Sequence, residues 1–106
     1  MPARQRRFDT ALGGFVLRQP NGYDVLQINL RTEELLGQRD GSDTARAFAT
    51  MLATLEVCVV EYPAGLTLAD IYDVTLLTEL YAEFLKWVES FRQPDAAPAA
   101  APAGVG

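Results

Sequence analysis

Two pairs of carboxylates come nearest to acid–base chemistry in this chain: Asp70 with Asp73, three residues apart, and the adjacent Glu33 and Glu34. A catalytic pair needs two carboxyl groups flanking one reacting bond, one holding its proton and one ionised. The flanking sequence explains these acids without that demand. Asp70 closes the box Thr67-Leu68-Ala69-Asp70, and Asp73 precedes a long apolar stripe, so each stands where a helix start wants an oxygen acceptor. Glu33 and Glu34 fall on the polar edge of an amphipathic stretch. The chain has no histidine, the commonest general base and metal ligand, and a lone Cys58 rules out a zinc site built on thiolates. No catalytic, cofactor-binding or metal-binding residues are assigned, and the chain is read as a non-enzyme.

Other groups with chemical potential also have plainer explanations. Cys58 lies in Val57-Cys58-Val59-Val60, without the basic neighbour that a reactive thiolate wants, and reads as a buried structural thiol. Gly13-Gly14 lacks the spacing and the lysine of a phosphate-binding loop. Tyr62, Tyr72, Tyr81 and Trp87 could stack on bases, yet they sit among acids rather than among lysines and arginines. Arg4, Arg6 and Arg7 form the one basic cluster in a chain of formal charge -5, and residues 56–92 carry seven acids against Lys86 and Arg92. Such a body repels phosphate backbones, so no nucleic-acid partner is expected.

Length bounds the rest. Of 106 residues, the basic start 1–7 is expected to be flexible and 93–106, an Ala/Pro/Gly tract, to be disordered; residues 8–92 make one small domain. A domain of this size buries only about 60–70 per cent of its unfolded surface, so a partner or a second copy (a homo-oligomer) would supplement its core. No apolar run approaches the ~18 residues of a membrane span, and no hydrophobic signal segment follows the basic start; a cytoplasmic protein is expected.

The periodicities define the elements. Arg7–Leu12 and Phe15–Arg18 read as strands of an N-terminal β-hairpin with Gly13-Gly14 at its turn. A helix over 22–36 follows Pro20-Asn21-Gly22, with Val25, Leu26, Leu30 and Leu35 on its apolar face and Gly37 as its C-terminal cap; residues 24–30 are also compatible with a strand. Ser42 or Asp43 caps a second helix that runs to Tyr62, where Pro63 and Gly65 stop it. After a short turn at 67–70, Asp73 caps the longest helix, 74–92, with Leu77, Leu80, Tyr81, Phe84, Val88 and Phe91 in one stripe. The fold class is α+β, mainly α: a hairpin and about three helices.

In this order the chain resembles the small tail assembly chaperones of long-tailed bacteriophages and prophages. The likeness is carried by Phe15-Val16-Leu17-Arg18-Gln19-Pro20, by residues 53–65, by Leu80-Tyr81-Ala82-Glu83-Phe84 and by Ser90-Phe91-Arg92. The resemblance implies a protein of the bacterial host cytoplasm that coats the tape measure protein, keeps it soluble, and is displaced by tail tube protein. It implies no catalytic residues.

Surplus apolar residues on the second and third helices suggest a helix-binding groove between them, lined by Val57, Val60, Tyr62, Leu76, Leu77, Tyr81, Phe84, Trp87 and Val88. Two other classes remain open: a structural particle protein, such as a head–tail connector or minor tail protein, and a small DNA-binding regulator using the arginine-rich start.

Overall fold

The computed structural model of the protein describes residues 4–37 and 42–91. The elements are β1 (Gln5–Thr10), β2 (Gly13–Arg18), α1 (Gly22–Leu36), α2 (Asp43–Cys58), β3 (Val59–Glu61) and α3 (Val74–Glu89), with 3-10 turns at Pro63–Gly65 and Leu68–Asp70. The architecture is α+β and mainly α. A three-stranded antiparallel sheet in the order β1-β2-β3 lays one face against the helices.

The hairpin is present, but its turn is Ala11-Leu12 rather than the diglycine. The Thr10 hydroxyl accepts from Leu12 N–H and donates to the Gly13 carbonyl, closing the turn with a side chain. The glycines serve the strand. Gly13 has φ 123°, and a Cβ there would lie 2.7 Å from Pro63 Cβ; at Gly14 a Cβ would meet the Arg7 guanidinium, which lies across it. The strand also begins earlier than expected. Gln5, Arg6 and Arg7 pair with Arg18, Leu17 and Val16, so this part of the basic start is ordered by the ladder.

Residues 24–30 are helical. Asn21 and Asp24 satisfy each other's backbone N–H groups in a capping box, and Gly37, at φ 67°, closes the far end by donating to Glu33 and Glu34 carbonyls. In α2, Ser42 is the N-cap, accepting from Ala45 N–H.

The second helix ends at Cys58, four residues short of the expected Tyr62, and the chain passes into β3 without a loop. β-branched Val59 and Val60 suit an extended backbone, and the open edge of β2 supplies partners for it. Leu17 pairs with Val59 and Val16 with Glu61, which leaves Val60 as the extra residue of a β-bulge. Asp73 caps α3 by accepting from Leu76 N–H. This helix ends at Glu89; Arg92 and the tail 93–106 lie outside the described residues, as does most of the loop after Gly37.

Phe15 and Leu17 of the central strand meet Met51, Leu55 and Cys58 of α2 and Leu77, Leu80 and Phe84 of α3 in one core. Fully burying a side chain of this kind stabilises by about 1.5–3 kcal/mol. Phe8 joins from β1 through edge-on contacts with Phe84 and Trp87, at ring separations of 6.2 and 5.8 Å. Ala49 and Ala53 are buried on the α2 stripe that also carries Arg46 and Glu56. Arg46 pairs with Glu33 and Arg31 with Glu56, so small residues flanked by ion pairs seat α1 on α2.

Candidate partner-binding surface

The most informative element is α1, because its faces are inverted relative to the expectation. Its buried residues are Asp24, Ile28, Thr32 and Leu36, spaced by four. Val25, Leu26, Leu30 and Leu35, expected to face the core, are exposed. Tyr23, Leu26 and Leu30, at i, i+3 and i+7, form a stripe directly opposite the buried one, and remain 83, 53 and 52 per cent exposed.

The inward polar residues are satisfied. Arg18, at the end of β2, donates from Nη1 to Asp24 Oδ2 at 2.5 Å and from Nη2 to Asp24 Oδ1 at 2.9 Å, and Nη2 also donates to the Val57 carbonyl at 3.1 Å. The two side chains are only 25 and 12 per cent exposed. This fork holds the Asp24 carboxyl below its usual range, opposed by burial and helped by Asn21 N–H, and raises the Arg18 pKa in turn. The Thr32 hydroxyl donates to the Ile28 carbonyl. Three elements are therefore clamped at one point, and the clamp turns the apolar stripe of α1 outward.

The expected groove between α2 and α3 is not formed as described. Leu76, Leu77 and Phe84 are core residues, closed by β1 and β2, and cannot meet a partner. Val57, Tyr62, Tyr81, Trp87 and Val88 are half-buried against that core. Tyr62 stacks edge-on with Phe15 at 5.8 Å, and burial raises its phenol pKa. Trp87 fills the space among Phe8, Phe84 and Phe91. Only Val60, turned out by the bulge, is exposed. The sheet, which the sequence reading limited to a hairpin, covers the side of α3 that the groove would have used. Sequence reasoning missed Tyr23 altogether and gave Leu26 and Leu30 the wrong side. The signal was available in Asp24 and Thr32, which share a helical face with Ile28.

Elsewhere, Tyr72 is almost wholly exposed and Val74 half so, just ahead of α3. The arginines do not form one basic surface. Arg4 lies over the Phe91 ring at 4.1 Å, Arg6 over Phe8 at 4.8 Å, and Arg7 pairs with Asp9 at 2.9 Å. Asp70 accepts from the Thr67 N–H and hydroxyl, and Asp73 caps α3, so these acids act in local structure. Cys58 is fully buried; burial pushes its thiol up to about 11, partly offset by nearby Arg18. Among the described residues, no group of three or more His, Cys, Asp or Glu side chains is placed to hold a metal, and no helix is long and apolar enough to cross a membrane.

Comparison of the chain with protein-family models, with curated proteins and with solved structures gives no match. The functional reading therefore stands on the chain's own residues.

Proposed function

We propose that this protein is a non-enzymatic binder of apolar helices, and that its role is that of a tail assembly chaperone holding the tape measure protein in the host cytoplasm until tail tube subunits take its place. One observation carries the reading. In α1 the polar Asp24 and Thr32 are buried while Tyr23, Leu26 and Leu30 face outward. The outward stripe itself adds nothing to the stability of a monomer, since leucines left about half exposed forgo part of the roughly 1.5–3 kcal/mol that full burial of each would give. A partner helix laid along the stripe would recover it. The acidic surroundings disfavour a nucleic-acid partner and favour a client with flanking basic residues.

The test is co-purification with helical segments of the tape measure protein of the same phage or prophage. Leu26→Asp and Leu30→Asp should each lower client recovery about tenfold or more, as loss of a buried interface leucine implies, while circular dichroism and thermal midpoint stay near wild type. Tyr72→Ala, away from the stripe, should leave recovery unchanged. Undiminished recovery with both aspartate variants would remove α1 as the surface. Stoichiometric presence in finished particles would instead make the protein a structural component.

A further inference from the structure

The sheet has an open edge whose chemistry selects its own partner. The order β1-β2-β3 leaves the outer side of β1 without a paired strand among the described residues. Thr10 faces Gly13 across the two-residue turn, and Gln19 N–H donates to the Arg4 carbonyl, so the even-numbered residues of β1 spend their backbone groups on β2. The backbone groups of Gln5, Arg7 and Asp9 therefore point outward. Their side chains lie on the sheet face away from the helices, where Arg7 and Asp9 form an exposed pair at 2.9 Å. Beside this edge runs a groove of about 650 Å³ with Arg6, Phe8 and Thr10 on one wall and acidic Asp73, Glu79 and Glu83 on the other.

We propose that β1 of a second copy of this chain occupies the edge, antiparallel about a two-fold axis through Phe8, joining two sheets into one of six strands. Two-fold pairing through the outward groups allows three central registers. One sets Arg7 against the partner's Arg7, another Asp9 against the partner's Asp9, and like charges directly opposite are destabilising. The third sets Arg7 against the partner's Asp9 and Asp9 against the partner's Arg7, two cross-strand ion pairs related by the axis. A single-sign edge would repel every copy; of these three central alignments this edge repels two. In the third alignment the partner's Arg6 lies opposite Thr10, on the groove side, where Asp73 and Glu79 supply the countercharge.

The experiment is sedimentation equilibrium of the full chain with three edge variants and, for comparison, Leu26→Asp. The wild type should show a monomer–dimer equilibrium. Arg7→Asp and Asp9→Arg should each weaken it about tenfold, since each replaces two attractive pairs by two repulsive ones. The double variant Arg7→Asp/Asp9→Arg should return to within about threefold of wild type, because the exchanged charges again oppose each other. Both positions are exposed, and circular dichroism checks that the variants are folded. A wild type that stays monomeric into the millimolar range overturns the proposal. So does a dimer that survives both single variants or is lost only with Leu26→Asp, which would place self-association on α1. Failure of the double variant to recover would overturn the register.

Discussion

Arg18 and Asp24 meet across the β2–α1 connection in a two-pronged ion pair whose guanidinium also reaches the Val57 carbonyl at the end of α2. The pair thus ties β2 and the adjoining α1 to the end of α2, 39 residues further along the chain from Arg18. Replacing Asp24 with Ala would leave the half-buried Arg18 without its countercharge and remove the α1 capping box together. The expected loss is about 2–3 kcal/mol, combining a broken part-buried pair with a lost cap. Urea unfolding of the variant checks this, and a loss below 1 kcal/mol, a surface-pair value, would deny the clamp its role.

The same pair sets an acid limb. Because the Asp24 pKa is held below its unfolded value, its stabilisation is complete above pH ~4 and is lost as the pH falls through the folded value. Asp70, lowered by the Thr67 N–H and hydroxyl, acts in the same direction. Urea midpoints followed from pH 7 down to about pH 3 should decline less steeply in Asp24→Asn than in wild type. Parallel declines would assign the acid limb to other carboxylates.

The two hairpin glycines should respond differently to alanine. At Gly13 the new Cβ would press on Pro63 and sit at a φ of 123°, so Gly13→Ala should cost about 2–3 kcal/mol. At Gly14 it meets only the movable end of exposed Arg7, and Gly14→Ala should cost under ~1 kcal/mol. Thermal or urea melts that gave equal losses would mean that Pro63 yields freely.

Cys58 should be silent in the native protein. With its thiol raised to about 11 and no exposed surface, it should fail to react with Ellman's reagent at about pH 8 in the absence of denaturant and react promptly in denaturant. Rapid labelling of the folded chain would show that the end of α2 opens readily.

Much of this fold was legible because local rules agreed with the tertiary outcome. Gly37 closes α1, Ser42 and Asp73 start α2 and α3, and Thr67 with Asp70 forms its box, each through hydrogen bonds within a few residues. The misreadings arose where distant partners decided. Val59 and Val60 satisfy a helical apolar pattern as well as a strand, and only the edge of β2, some forty residues earlier, settles the matter. The inversion of α1 is partly of this kind, since Arg18, only six residues from Asp24, draws it inward while bonded to the distant Val57 carbonyl, and a leucine count does not register that. Of the expected binding residues, Leu76, Leu77 and Phe84 were misplaced because the apolar arc of α3 is wide enough to serve the sheet as well as α2.

The direct passage from Cys58 of α2 to Val59 of β3 has a consequence for how this chain can vary. A loop absorbs an inserted or deleted residue, but here none intervenes. One residue added within α2 would rotate everything beyond it by about 100°. It would also reverse which side chains of β3 face the helices. Helix phase and strand register are locked into a single frame, so length changes are confined to the ends of α2 and β3, while substitutions within the frame remain open.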